Sequence, residues 1–209
     1  MKSPLLFFMF TVIVFSLGCE KDKTDNNPDP HGWILAGSLP QDYRIGSENQ
    51  YAYHGQQSGF IESIKDTIDG FGTLMQFCSG DAYRGERVRM TGYIQTLSPV
   101  ESRALMWARV DDYDLDVTGD FDNMEDRPIY GTKTWTKCVI VFDVPESNCV
   151  INYGLVLVNT GKAWIDNVSF EVVDSSVFRT AYYLNEPFYV GAELPLDLPE
   201  NPVNLDFEE

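Results

Sequence analysis

From Trp33 onward, the apolar residues of the chain fall in short runs that are separated by turn-forming residues. Gly, Asp, Asn and Pro fill the gaps, and hardly any run is long enough for a helix. The pattern predicts strands at residues 43–46, 51–54, 59–64, 72–78, 86–95, 103–111, 136–143, 148–158 and 163–173. Residues 79–85 are predicted to form a helical turn or a loop between sheets. Short strands at regular spacing indicate an all-β sandwich of two antiparallel sheets.

Strict alternation assigns the two faces of the predicted strand at residues 87–95. Its core face is expected to consist of Val88, Met90, Gly92 and Ile94, and its other face of Arg89, Thr91, Tyr93 and Gln95.

In the next predicted strand, alternation puts Leu105, Trp107 and Arg109 on one side. We expect a binding surface to begin there, because an indole can stack on a ligand and a guanidinium can form paired hydrogen bonds. In the alternative, Trp107 packs beneath a loop and Arg109 pairs with one of the many carboxylates.

The least generic segment of the sequence is the loop at residues 121–132, together with Trp135. It combines amide, guanidinium, carboxylate and aromatic groups, a mixture that suits hydrogen bonding and stacking on sugars or other polar ligands. Asn123, Arg127 and Trp135 are therefore candidate ligand-binding residues. In the alternative, Arg127 bonds backbone carbonyls and Trp135 fills the core.

The beginning of the chain has the layout of a secretion signal. Lys2 precedes thirteen uncharged residues at positions 5–17, which is fewer than the about 20 that a membrane-spanning helix needs. Leu17-Gly18-Cys19 resembles the end of a lipobox, the bacterial lipoprotein signal whose cysteine becomes the acylated first residue of the mature protein. We therefore expect a signal peptide at residues 1–18 and lipidation of Cys19.

Residues 19–30 are polar and rich in Asp, Asn, Lys and Pro, which is typical of a flexible tether. The stretch Glu20-Lys21-Asp22 resembles the export tag of lipoproteins that Bacteroidota display on their surface. The expected location is the outer membrane, to which lipidated Cys19 would attach the protein, with the periplasmic and outward orientations both open.

Acidic residues outnumber basic ones, with 32 Asp and Glu against 15 Lys and Arg and a formal net charge of −17. Such a surface repels phosphate backbones, so the charge argues against a nucleic-acid partner.

The chain has four cysteines, and lipidation of Cys19 would leave an odd number for disulfides. Cys138 and Cys149 could pair across a hairpin. Alternatively, they and Cys78 are three small buried hydrophobic residues. With only two histidines, a zinc site is not expected.

A dense acidic loop contains Asp111, Asp112, Asp114 and Asp116, followed by Asp120 and Asp122. Clusters of oxygen ligands suit Ca²⁺, although the spacing lacks the glycine and glutamate of an EF-hand loop. The alternative is a solvated acidic loop.

Beyond a domain expected at residues 31–175, residues 176–209 form a tail that is punctuated by prolines and predicted to be extended. It contains Asn204-Leu205-Asp206-Phe207-Glu208, which resembles the opening strand of many jelly-roll modules. The segment either docks on this domain as a terminal strand or begins a further domain.

Seven sequence blocks in order carry a wider resemblance over residues 31–180. They are G-W-I-L-A-G-S-L-P-Q-D-Y at 32–43, H-G-Q-Q-S-G at 54–59, G-F-G-T-L-M-Q at 70–76, A-Y-R-G-E-R-V-R-M-T-G-Y at 82–93, W-A-R-V-D at 107–111, F-D-N-M-E-D-R-P-I-Y-G-T at 121–132 and W-I-D-N-V-S-F-E-V-V at 164–173. Together they resemble a family of jelly-roll modules that is similar to carbohydrate-binding and galactose-binding-like domains. Members occur alone, or appended to AraC-type transcription regulators and to some secreted hydrolases.

The resemblance implies a jelly-roll β-sandwich, and it implies that Asp166 corresponds to a ligand of a structural Ca²⁺. It does not bring a DNA-binding mechanism with it, because a helix-turn-helix needs an amphipathic basic helix and the sequence has no such period. No other cofactor is expected.

No catalytic constellation is apparent in the sequence. His54 and Ser58 do not form a nucleophile elbow, and no motif selects a pair among the many carboxylates. The expected function is therefore a non-catalytic, lipid-anchored binding module for carbohydrate or another polar envelope ligand. The alternatives are a structural lipoprotein that binds a protein partner and an accessory domain separated from a hydrolase.

Overall fold

The structure is a computed structural model that describes residues 29–187 and 198–209. Within these ranges the chain forms twelve strands and two 3₁₀ helices. The strands are β1 (Ile34–Gly37), β2 (Tyr43–Glu48), β3 (Ser58–Ser63), β4 (Phe71–Ser79), β5 (Arg87–Leu97), β6 (Arg103–Asp112), β7 (Val117–Asp122), β8 (Ile129–Tyr130), β9 (Lys133–Asp143), β10 (Cys149–Val158), β11 (Lys162–Val173) and β12 (Tyr182–Pro187). The 3₁₀ helices cover Pro40–Asp42 and Asp81–Tyr83.

The strands build two antiparallel sheets, and the predicted all-β sandwich is confirmed. The seven-stranded sheet has the order β1-β4-β10-β6-β7-β12, with β8 paired to β6. The five-stranded sheet has the order β2-β3-β11-β5-β9. Many neighbours in each sheet are distant in sequence, so the strands cross repeatedly between the sheets.

The core lies between the two sheets, and the predicted inner face of β5 is confirmed. Val88, Met90 and Ile94 are fully buried. The sheets approach each other closely at Gly92, where a Cβ atom would lie 3.0 Å from Sδ of Met106 on β6. Met106 therefore points into the core from the seven-stranded sheet.

Five elements differ from the sequence prediction. Residues 51–54 form an irregular loop rather than a strand, whereas β1, β7, β8 and β12 lie where no strand was predicted. The aspartates of β7 mask its alternation, and β12 lies near the start of the tail that was predicted to be extended. Both strands are stabilised by pairing with each other, which joins segments about sixty residues apart in the sequence.

The predicted signal peptide, Cys19 and the tether up to residue 28 lie outside the described residues. In the part of the chain that the structure does describe, no helix is long and apolar enough to cross a membrane.

The three cysteines of the domain are buried and free. Cys138 lies on β9 of the five-stranded sheet and Cys149 on β10 of the seven-stranded sheet, so the expected hairpin that would pair them does not exist. Burial raises the pKa of each thiol to about 12, which keeps all three protonated and unreactive at neutral pH.

A charged clasp joins the segment before β12 to the edge of the five-stranded sheet. Arg87 forms two hydrogen bonds to the Asp143 carboxylate, at 2.6 and 2.8 Å, and also donates to the carbonyls of Ser175 and Val177. Arg179 bonds to Asp120, whose carboxylate accepts the backbone N–H of Asp143. The clasp covers a sheet edge that would otherwise be open to pairing.

The C-terminal segment at residues 198–209 docks on this domain. Phe207 is fully buried and stacks on Trp33, with ring centroids 4.9 Å apart. The Trp33 indole N–H donates to the carbonyl of Asn204, and the carbonyl of Leu205 accepts the N–H of Val168. These contacts show that the N-L-D-F-E motif docks on this domain, although it forms a turn and not the strand that was expected.

We expect Phe207→Ala to lower the free energy of unfolding by about 3–5 kcal/mol, because it empties a fully buried ring site. Urea unfolding measures the change. Phe178→Ala is the matched control, because this ring is 84% exposed and its loss should change stability by only about 0.5 kcal/mol. Equal effects of the two substitutions would contradict the docked position of Phe207.

The clasp predicts a pH-dependent stability difference. Arg87 holds the pKa of Asp143 below its ordinary value, so the stabilisation is present above an unfolded-state pKa of about 4 and is lost as the pH falls through the folded value. Arg87→Gln should therefore destabilise the protein more at pH 7 than at pH 3, as followed by urea unfolding. Arg89→Gln, which removes an exposed pair with Glu171, is the control and should have little effect at either pH. A difference for Arg87→Gln that does not depend on pH would contradict the prediction.

Candidate functional site

The structure separates the five residues that the sequence suggested for ligand binding. Trp107 lies on the side of β6 opposite Met106, yet its indole is fully buried and donates a 2.9 Å hydrogen bond to Oγ1 of Thr73. It presents no ring face to a ligand. The prediction of Trp107 as a stacking residue is therefore wrong, because alternation indicates the side of a strand but not whether that side is covered.

Arg109, next on the same side of β6, is also buried. Its guanidinium contacts the Asp111 carboxylate at 2.7 Å, and the Asn152 amide donates to the same carboxylate at 2.9 Å. This is the pairing that the alternative interpretation expected, so Arg109 is not available as an exposed ligand contact.

Asn123 and Arg127 hold their own loop together. The Asn123 side chain accepts the N–H of Glu125, and Arg127 bonds to Asp122 and Asp126, each at 2.6 Å, and to the carbonyl of Val139. Both residues are partly exposed, and a ligand role for them stays a prediction.

The acidic loop after β6 is held together by its own hydrogen bonds. Asp112 accepts the N–H groups of Asp114 and Leu115 and the hydroxyl of Ser147. Across residues 29–187 and 198–209, no group of three or more His, Cys, Asp or Glu side chains is arranged to hold a metal ion. The expectation of a calcium loop is therefore not met in these ranges.

Asp166 does not fit a calcium ligand either. Its fully buried carboxylate accepts backbone N–H groups from Tyr53, His54 and Asn167, at 2.7, 2.9 and 2.6 Å. Burial raises the pKa of Asp166 above its ordinary value, while the N–H donors act in the opposite direction. The positive ends of three peptide dipoles surround the carboxylate. Asp166 therefore holds a loop in place at the position where the resemblance implied a metal ion.

The remaining predicted residue, Trp135, belongs to an aromatic surface on the outer face of the five-stranded sheet. We call this surface the aromatic band. It consists of Tyr51 and Tyr53 from the loop after β2, Tyr93 on β5, Trp135 on β9 and Trp164 on β11. Tyr93 lies on the side of β5 opposite the core residues Val88, Met90 and Ile94, which places the band away from the core.

One half of the band is a corner formed by three rings. Tyr53 lies flat on Tyr93, with centroids 3.7 Å apart and planes 12° apart. Trp135 stands against Tyr53 at 65°, with centroids 6.0 Å apart. Tyr53 is 44% exposed, so the corner offers a ring floor and a ring wall to solvent. Hydrogen bonding with Tyr93 raises the pKa of Tyr53 above its ordinary value.

The other half of the band borders a shallow open groove of about 270 Å³. Its lining combines aromatic, aliphatic and polar groups, from Gln50, Tyr51, Glu62, Ser63, Leu97, Gly161, Lys162 and Trp164. The Lys162 ammonium lies 4.0 Å from the centroid of the Phe60 ring and 2.7 Å from the Glu48 carboxylate. Glu48 also accepts the Trp164 indole N–H at 2.6 Å, so the polar groups of the groove are fixed in place.

The sequence contained only part of the signal for this surface. Alternation correctly put Tyr93 on the outer face of β5, and Trp135 was singled out by its neighbours. Tyr51 and Tyr53 were assigned to a strand, because an aromatic run has the composition of a strand. Tyr53 contacts Tyr93, and its backbone N–H is held by Asp166, which is more than a hundred residues away.

Similar proteins share the fold of this domain. The family 22 xylan-binding domain (CBM22-1) of Paenibacillus barcinonensis Xyn10C aligns with a TM-score of 0.51 at 16% identity, over 71% of this chain and 90% of that one. The C-terminal family 22 carbohydrate-binding module of Clostridium thermocellum Xyn10B gives a TM-score of 0.51 at 12% identity, over 71% of this chain and 89% of that one. At these identities the likeness establishes the β-sandwich fold alone.

In sequence, the chain is 40% identical over 179 residues to an uncharacterized HTH-type transcriptional regulator, YbfP, of Bacillus subtilis. The alignment covers 85% of this chain but 57% of the regulator, so the chain spans little more than half of that protein. No protein-family model matches the chain.

The helices described in residues 29–187 and 198–209 are two three-residue 3₁₀ turns, so these ranges contain no helix-turn-helix unit. The chain therefore has the β-sandwich fold of carbohydrate-binding modules and a sequence relative among regulators.

Proposed function

We propose that this domain is a non-catalytic binding module that holds a carbohydrate on its aromatic band. The observation that carries the proposal is the corner of Tyr53, Tyr93 and Trp135, in which a loop tyrosine that is 44% exposed packs on two residues of the sheet. Sugar rings present apolar C–H faces that stack on aromatic rings, while their hydroxyls need nearby polar groups. The groove beside Tyr51 supplies such groups through Gln50, Glu62 and Lys162.

The structural neighbours support this proposal at the level of fold. Two of them are described as carbohydrate-binding or xylan-binding modules, and their shared architecture provides a scaffold that carries such sites. Fold likeness does not by itself assign a ligand, whereas the exposed rings of the band favour a sugar. We also propose that lipidated Cys19 tethers the module to the outer membrane.

The second candidate function is docking of a protein partner on the same face. It is favoured by Leu97, which borders the groove and is 57% exposed. It also fits the regulator relative, in which a region like this one accompanies further sequence. In that case the band would contact a protein surface, and soluble glycans would not bind.

Removal of the corner rings should weaken glycan binding. We expect wild-type protein to be retarded by at least one soluble polysaccharide in a native affinity gel. Tyr53→Ala and Trp135→Ala should each weaken that affinity about tenfold, which corresponds to about 1.4 kcal/mol. Tyr182→Ala is the matched control, because this tyrosine is 52% exposed on β12 of the other sheet.

Two results would count against the carbohydrate proposal. One is a wild-type protein that no glycan of a broad panel retards, and the other is an equal loss of affinity in Tyr182→Ala. If an envelope protein co-purifies with the wild type but not with Trp135→Ala and no glycan binds, the docking function is favoured.

The proposed tether predicts a change of fraction. Cys19→Ser removes the side-chain sulfur that would be acylated. The variant should therefore move from the membrane pellet to the soluble fraction, and it should no longer incorporate labelled palmitate. Cys138→Ser, a substitution in the core, is the control and should stay in the membrane fraction. A Cys19→Ser variant that stays labelled would contradict the tether.

A further inference from the structure

The loop that carries Tyr51 and Tyr53 has no regular secondary structure of its own. It runs from the end of β2 to the start of β3, and four of its backbone N–H groups donate to two carboxylates from distant parts of the chain. Asp166 lies beneath the loop and accepts the N–H groups of Tyr53 and His54. Glu208, from the C-terminal segment, accepts those of Gln56 and Gln57 at 2.6 and 2.9 Å.

The backbone between these two carboxylates is shaped to admit Glu208. Gly55 has a φ of +71°, and a Cβ atom there would lie 2.2 Å from Oε1 of Glu208. The turn therefore wraps around the carboxylate, and the successive N–H groups of residues 56 and 57 point into it as in an anion-binding concavity. Ser58 closes the loop by donating its hydroxyl hydrogen bond to the carbonyl of Tyr51.

Glu208 is itself held in place by its neighbour. Phe207 is fully buried between Trp33 and the backbone of Gly59, where a Cβ atom would lie 2.1 Å from the ring. On a freely moving segment, two hydrogen bonds to an exposed carboxylate would stabilise the turn little, because forming them would cost the segment its conformational entropy. With Phe207 seated in the core, that entropy is already lost, and the bonds can fix the turn.

We infer that Glu208 is a positioning residue for the aromatic band: through the turn at Gly55 to Gln57 it keeps Tyr53 stacked on Tyr93. The inference rests on the proposed function where it concerns affinity, but the stacking itself does not depend on any ligand. It gives the C-terminal segment a role beyond stability, because the segment that fills the core also sets the ring floor of the corner.

The test compares Glu208→Ala with Glu208→Gln and with Glu209→Ala. The Gln side chain keeps an acceptor oxygen, and Glu209 is an adjacent carboxylate that pairs with His31 and does not bond to the loop. Amide hydrogen exchange by NMR reports the two bonds directly. We expect Glu208→Ala to speed exchange at Gln56 and Gln57 at least tenfold, with strand β10 unchanged and Glu208→Gln intermediate.

A second readout follows the stacking. The ring protons of Tyr93 feel the ring current of Tyr53, so Glu208→Ala should move their resonances toward those of Tyr53→Ala, whereas Glu209→Ala should leave them unchanged. Affinity for any polysaccharide that retards the wild type should fall three- to tenfold in Glu208→Ala and recover in Glu208→Gln.

The two proposals fail in different ways. Unchanged Tyr93 resonances in Glu208→Ala overturn the positioning role, whether or not a glycan binds. If the resonances move but polysaccharide affinity stays at the wild-type level, Glu208 positions Tyr53 but the stacked ring does not contribute to binding, which contradicts the proposed function. If no glycan retards the wild type, the proposed function fails, while the exchange and resonance measurements still decide whether Glu208 positions Tyr53.

Discussion

A buried carboxylate, Asp166, determines whether the outer face of the five-stranded sheet can present a binding surface. It lies on β11 with three backbone N–H groups around it, two of them from the loop that carries Tyr51 and Tyr53. Burial of a charge is costly unless hydrogen bonds compensate it, and hydrogen bonds to a charged acceptor are stronger than those between neutral groups. The loop is thereby tied to the sheet, and Tyr53 comes to rest on Tyr93.

The sandwich is completed by segments that close its edges. Before β12, the clasp of Arg87, Arg179 and their aspartates covers the edge strand β9. At the other side, residues 198–209 insert Phe207 beside Trp33 and bring Glu208 to the turn at Gly55. Core packing and loop positioning are therefore linked, because residues 198–209 supply both a core ring and a loop acceptor.

Local patterns in the sequence were sufficient for the architecture but not for the site. Alternation identified the core side of β5, and the spacing of short runs indicated a sandwich. The same alternation put Trp107 on the correct side of β6 but did not show that this side is buried, because a period of two says nothing about what covers a sheet face. The aspartates after β6 suggested a metal loop, yet Asp120 pairs with Arg179, almost sixty residues later. Pairings over such distances are fixed by the fold and leave no local signal.

The central claim is that the aromatic band, rather than the side of β6 that carries Trp107, contacts the ligand. The four tryptophans make this directly measurable, because each gives one indole N–H resonance. ¹⁵N-labelled protein is titrated with an oligosaccharide from a polysaccharide that retards it in the affinity gel. The titration should shift the Trp135 resonance, while the resonances of the buried Trp33 and Trp107 stay in place. A shift of Trp107 with Trp135 unchanged at saturation would contradict the account.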